Sequence, residues 1–131
     1  MRKVIYTEKA PKPIAAYSQG INVDNEIVTS GQIGIDLKTG NLVEGIEEQT
    51  KLSLKYNIAI IEAGGGLVKN IFQVMILLAD MGLYRRVNEI YEQTLKPYFP
   101  KGDYPTRFVD GPKSLPKDAL IEIMMRAKVK E

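Results

Sequence analysis

The sequence predicts an α+β fold: a two-layer sandwich in which a six-stranded mixed sheet carries two helices on one face. Three observations point there. Two windows repeat apolar residues at helical spacing, several short windows have the alternation or β-rich composition of strands, and the two kinds are interspersed as strand, hairpin, helix, strand, helix, strand, strand. A chain of 131 residues suffices to bury one such core, so residues 1–131 are expected to form a single domain.

Arg2 to Tyr6 is the first expected strand, with Val4 and Tyr6 on one face, and Pro11 and Pro13 make a stiff loop before Tyr17. Gly20-Ile21-Asn22-Val23 and Glu26-Ile27-Val28-Thr29 flank Asp24-Asn25, a two-residue connection of the kind that closes a β-hairpin. Ser30 and Gly31 follow. Glycine permits a close backbone approach, and Ser30 reads either as a hydroxyl with a function or as an ordinary strand-end turn residue. Beyond the loop Asp36 to Gly40, Ile46 to Ala63 is helical, with Thr50, Leu54, Ile58 and Ile61 on one stripe, until Gly64-Gly65-Gly66 stops it. Ile71 to Leu78 is nearly all apolar, the composition of a strand covered on both faces, and its place after a helix suggests a βαβ crossover. Asp80 can cap the second helix, whose stripe is Tyr84, Val87, Tyr91 and Leu95 and which ends at Pro97. Asn88 lies beside that stripe, where it reads equally as a surface amide or a functional one.

Two strands close the chain. Pro105 to Gly111 is one, and Asp118 to Lys130 alternates with Ile121, Ile123, Met125, Ala127 and Val129 on one face and Leu120, Glu122, Met124, Arg126 and Lys128 on the other. Two helices on one side cannot hide Leu120, Met124 and several of Phe72, Val74, Ile76 and Leu78, so the second sheet face is expected to be an oligomer interface.

Composition excludes whole mechanisms. The sequence has neither Cys nor His nor Trp, which removes zinc sites built on those ligands and any nucleophile that relies on an imidazole base. The remaining chemistry must run on carboxylates, Arg, Lys, Tyr, hydroxyls, backbone and water, which suits a substrate that is already electrophilic and calls for neither metal nor cofactor. Eighteen Lys and Arg against sixteen Asp and Glu leave a net charge of +2 without a basic block, so nucleic acid is not an expected partner. Met75 to Met81 is too short to span a bilayer and is interrupted by Asp80, and no secretory signal is present; a cytoplasmic location and no membrane partner are expected.

Glu122 is the odd carboxylate among apolar neighbours. Such a group is rarely buried unpaired, so a cation or a substrate should face it, and Arg107 is the nearby candidate. Spacing leaves two readings open: a structural Arg–Glu pair between neighbouring strands, or a substrate site.

Pro105-Thr106-Arg107, Leu115-Pro116-Lys117-Asp118 and Ile121-Glu122-Ile123 together resemble the C-terminal signature of the RidA/YjgF family of reactive-intermediate (enamine/imine) deaminases. Ala16-Tyr17-Ser18-Gln19, Thr29-Ser30-Gly31-Gln32-Ile33, Glu47-Glu48-Gln49-Thr50, Leu78-Ala79-Asp80-Met81 and Val87-Asn88-Glu89-Ile90-Tyr91 agree in order, nearly end to end. The resemblance implies a chorismate-mutase-like fold closing as a homotrimer, with the sheets facing inward and the active sites in clefts between subunits. It implies a small 2-imino acid substrate, or its enamine tautomer, hydrolysed to a 2-keto acid and ammonia. Arg107 would clamp the substrate carboxylate, Glu122 would activate water and shuttle a proton, and Tyr17, Ser30, Asn88 and Gly31 would line and orient the cleft.

Two stretches depart from the family pattern. Phe108, Val109 and Asp110, with Pro112 after Gly111, stand where a small residue and an apolar one are usual, and Ala15-Ala16 replaces Gly-Pro before Tyr17. Within one strand Phe108 and Asp110 should point away from Arg107, so any change falls on the pocket wall or a subunit contact. Other functions remain in view from a different class: a non-catalytic small-carboxylate-binding or regulatory protein, or a translation inhibitor with ribonuclease activity, as family members have also been described. Chorismate mutase shares the fold, but the motifs match the deaminase pattern.

Overall fold

A computed structural model describes residues 1–129. Its elements follow the expected order: β1 (Arg2–Ile5), β2 (Gly20–Val23), β3 (Glu26–Thr29), α1 (Ile46–Ala63), β4 (Ile71–Leu78), α2 (Tyr84–Leu95), β5 (Thr106–Asp110) and β6 (Ile121–Lys128). The last strand begins at Ile121 and not at Asp118, because Pro116–Asp118 form a 3-10 turn in which Lys117 and Asp118 take positive φ. The far end of the expected alternation, Lys130, lies outside the described residues.

The six strands form one mixed sheet in the order β1-β2-β3-β6-β4-β5. β2 and β3 are the expected hairpin: Asp24 and Asn25 both have positive φ, the backbone that a two-residue turn needs to match strand twist. β4 and β5 are parallel with α2 between them, whereas β3 and β4 also run parallel but are held apart by β6, which pairs antiparallel to both. The last strand in sequence is therefore central in space.

Both helices cover one face. Leu54, Ile60 and Ile61 of α1 and Val87, Ile90 and Leu95 of α2 pack with Ile27, Val74, Ile76, Leu78, Ile121 and Ile123 into the main core. The expectation of a β4 buried on both sides is corrected: Val74, Ile76 and Leu78 are fully buried under the helices, while Phe72, Met75 and Leu77 face the other way. A register shift between Ile71 and Gln73 places Phe72 and Gln73 both on that second side, where Arg126 stacks over the Phe72 ring at 5.5 Å and donates to Gln73 at 3.1 Å. Val4 and Tyr6 share the second face too, and Ile5 between them enters the core. This helix-free face is apolar and open, with Val4 61%, Phe108 51%, and Phe72 and Val28 each 39% exposed.

Candidate active site

β6 is held unevenly along its β3 edge. β3 pairs with it only from Glu26 to Val28, and a single bridge from Gln32 to Ile123 resumes the contact further on. Between them the chain splays outward, and buried amides and hydroxyls replace the missing ladder. The Thr29 hydroxyl donates to Asn57 Oδ1 (2.6 Å) and accepts from the Met125 N–H (2.8 Å), and the Asn57 amide donates to the Ile123 carbonyl (2.9 Å). Gln49 of α1 accepts from the Leu120 N–H at 2.9 Å. These contacts fix both ends of the splayed segment, and Ser30 and Gly31 sit at its apex.

Gly31 lies hard against Glu122. A Cβ at position 31 would come within 2.4 Å of Glu122 Oε2 and 2.7 Å of its Cδ, so only glycine fits while the carboxylate keeps its place. Glu122 is half-buried on the open face of the sheet and, among the described residues, has neither a salt bridge nor a hydrogen-bond partner. Burial pushes its carboxyl above the usual glutamate range, because the charged form loses water without gaining a counter-charge. Glu122, Gly31, Ser30, Tyr17, Tyr6 and Lys117 line a cleft of about 850 Å3. The Ser30 hydroxyl donates to the Ser18 carbonyl, which leaves its lone pairs as acceptors, and the half-exposed Tyr17 ring is anchored by the Ile14 N–H donating to its hydroxyl at 3.4 Å. The loop carrying Tyr17 is held by the buried Gln19, whose amide donates to the Thr7, Ala10 and Pro11 carbonyls and accepts from the Thr7 N–H. Residues Ala15 and Ala16 precede Tyr17 in a tight turn in which the Tyr17 N–H donates to the Ala15 carbonyl at 2.9 Å.

Arg107 is elsewhere. It lies on the edge strand β5 opposite Val74, and so on the helix-covered face, whereas Glu122 lies opposite Leu77 on the open face. β4 runs between them, with a separation of roughly 10 Å along the strands and roughly 10 Å across. The structural Arg107–Glu122 pair between neighbouring strands is thus corrected: within one chain the two strands are not neighbours and the side chains leave from opposite faces. Instead, the Arg107 guanidinium packs on α2, 5.0 Å from the Tyr91 ring centre and 5.5 Å from that of Tyr84, and Nη2 donates to the Tyr84 hydroxyl at 2.8 Å. Phe108 points to the other face, as alternation predicts.

Asn88 belongs to this second group. Tyr84, Asn88 and Tyr91 recur at four- and three-residue intervals, which puts them on one stripe of α2. Asn88 Oδ1 and the Tyr91 hydroxyl are buried without a partner, and burial pushes the Tyr91 phenol up to about 12, against the pull of the Arg107 charge. The site residues expected from sequence therefore fall into two constellations: Tyr17, Ser30, Gly31 and Glu122 in the cleft, Arg107 and Asn88 on the α2 edge. Sequence reasoning missed Tyr84, although a tyrosine four residues before Asn88 on the same stripe was the available signal. It also missed Gln19 and Asn57, for which no local pattern distinguishes a buried amide from a surface one. Among the described residues no three His, Cys, Asp or Glu side chains lie close enough together to hold a metal ion, and no helix is long and apolar enough to cross a membrane.

A family model described as endoribonuclease L-PSP matches residues 7–129. A RutC family protein of Pyrococcus horikoshii is 43% identical over 94% of both chains, and the 2-iminobutanoate/2-iminopropanoate deaminase of Rattus norvegicus is 44% identical over 94% of this chain and 87% of its own. Among solved structures, that of E. coli TdcF with bound serine superposes with a TM-score of 0.92 at 33% identity, covering 98% of this chain and 99% of the other.

Proposed function

The chain belongs to the RidA/YjgF family, and from that premise we propose that it is a metal-free hydrolytic deaminase of reactive enamine/imine acids, namely 2-aminoacrylate/2-iminopropanoate and 2-aminocrotonate/2-iminobutanoate. The observation that carries this reading is Glu122: a half-buried carboxylate with no counter-charge, its affinity for protons raised, walled by a glycine in a cleft that also offers a hydroxyl and a phenol. A group in that state is a general base matched to a substrate and not a structural ion.

The substrate carries one carboxylate, which the planar fork of Arg107 can hold by two parallel hydrogen bonds. Since Arg107 and Glu122 of one chain face apart, the complete site takes Arg107 and Asn88 from one subunit and Glu122, Tyr17, Ser30 and Gly31 from another. The open apolar face supports a homotrimer as the assembly that joins them. The serine held by TdcF has the same α-carboxylate and supports a small carboxylate ligand here.

In the reaction, the enamine first takes a proton at C3 to give the imine. Glu122 accepts a proton from water as the water oxygen bonds to the imine carbon, forming a carbinolamine. Glu122 returns that proton to the nitrogen and takes up the hydroxyl proton as the C–N bond breaks and C=O forms, and ammonia and the 2-keto acid leave. Nitrogen protonation makes the carbon electrophilic enough without a Lewis acid. Arg107→Lys keeps the charge but loses the fork, so kcat/KM should fall by roughly thirtyfold or more, with folding intact. The imine is generated in situ with a serine/threonine dehydratase and keto-acid release is followed, with thermal melting on the same samples. Near wild-type turnover by a folded Arg107→Lys protein would overturn the assignment.

A further inference from the structure

Arg107 is an arginine without an acid. Among the described residues it has no salt bridge, and its one side-chain hydrogen bond runs from Nη2 to the Tyr84 hydroxyl at 2.8 Å. A guanidinium at the end of three rotatable carbons on an edge strand would otherwise sample many orientations, and bidentate recognition of a carboxylate is sensitive to the tilt and rotation of its plane. Two tyrosines from one stripe of α2 remove that freedom in different ways. The Tyr91 ring, 5% exposed and with its centre 5.0 Å from Cζ, is a flat, buried support that sets the tilt. The Tyr84 hydroxyl engages one terminal nitrogen and sets the rotation, leaving the remaining N–H groups free for a ligand.

We propose that Tyr84 is a positioning residue for carboxylate recognition: through its hydroxyl, and not its ring, it holds the Arg107 fork in the orientation that receives the substrate carboxylate. The proposal rests on the deaminase reading for its substrate, but not for its geometry. Tyr84 stands at the start of α2, immediately after the 3-10 turn Met81–Leu83 that Asp80 caps by accepting from the Gly82 N–H at 2.8 Å, so the hydroxyl is presented from a fixed turn. Asp80 thereby holds the turn from which α2 starts, and the helix places Tyr84 one turn before Asn88.

Tyr84→Phe separates the two contributions of the residue, since it keeps the ring beside Arg107 and removes only the hydroxyl. Uniform loss of a binding contact raises KM and leaves kcat nearly untouched, so KM for the imino acid and Kd for the product 2-oxobutanoate should both rise about fivefold to tenfold, with kcat within about twofold of wild type. The decisive measurement is a double-mutant cycle. If Tyr84 acts through the fork, Tyr84→Phe has no further effect in an Arg107→Lys background; if it is merely structural, the same factor appears in both backgrounds. Calorimetry with 2-oxobutanoate and kinetics on the four proteins, each checked by thermal melting, give both readouts. Equal Kd for wild type and Tyr84→Phe, or an additive cycle, overturns the proposal. A wild type that binds 2-oxobutanoate but does not turn over the imine sinks the deaminase reading instead, and the Kd cycle then judges Tyr84 alone. A wild type that neither binds nor turns over overturns both.

Discussion

Around Glu122 a carboxylate is left half-buried with no partner among the described residues, whereas Arg107 rests its cation on two tyrosine rings and a hydroxyl. The cleft is assembled from residues far apart in sequence, with Thr29, Asn57 and Gln32 taking over where β3 leaves β6. The arginine cradle is almost local, one strand residue resting on two tyrosines of one helix. The carboxylate loses water without gaining a counter-charge, whereas the cation gains aromatic faces and a hydrogen-bond acceptor. An uncompensated carboxylate held against a glycine does not serve stability, which is why the proposed function places its partner outside the chain.

The strongest way to break this comparison is to separate the halves genetically. Arg107→Ala and Glu122→Gln chains should each lose roughly a thousandfold in activity. If sites form between subunits, refolding the two inactive chains together should restore about a quarter of wild-type activity, because a random mixture pairs the intact halves at one site in about four. No recovery in mixed oligomers, verified by mass, would mean that one chain must supply both halves, and the intersubunit site falls.

A smaller effect sharpens the cleft half. Gly31→Ala pushes its Cβ into the Glu122 carboxylate, and since a misplacement of about 1 Å at a reacting group can lower the rate about a hundredfold, kcat should fall on that scale while 2-oxobutanoate binding at Arg107 changes little. Parallel loss of binding and turnover would show that the halves are not separable.

The smallest effect concerns stability. Glu122 has its folded pKa above the unfolded one, so between the ordinary glutamate value and the raised one the native chain holds the extra proton, and stability falls as pH rises through that window. Glu122→Gln removes the buried charge, and its Tm at neutral pH should equal or exceed that of wild type, whereas at a pH below the ordinary glutamate value the advantage disappears. Melting curves across that range check this. A Tm clearly below wild type at neutral pH would mean that the carboxylate is held by a stabilising contact.

Much of the molecule was determined by sequence alone. Both helices, the Asp24-Asn25 hairpin and the alternation of β6 depend on residues within a few positions of one another, and backbone geometry converts such spacing directly into structure, whereas Asp80 caps the 3-10 turn before α2 and not the helix itself. The same alternation correctly put Glu122 on the face away from the core and Phe108 away from Arg107. Period-two patterns state which residues of one strand share a face, but they carry no information about which strand lies beside which. Only the tertiary structure decided that β6, last in sequence, enters between β3 and β4, and so whether Arg107 and Glu122 meet. The insertion follows from burial: β6 has Ile121, Ile123, Met125 and Ala127 almost wholly covered by the helices, which the centre of the sheet provides, while β5, with its exposed Arg107 and Phe108, is left at the edge. Placing Arg107 there, against α2 and across β4 from Glu122, split one apparent constellation into two separate groups.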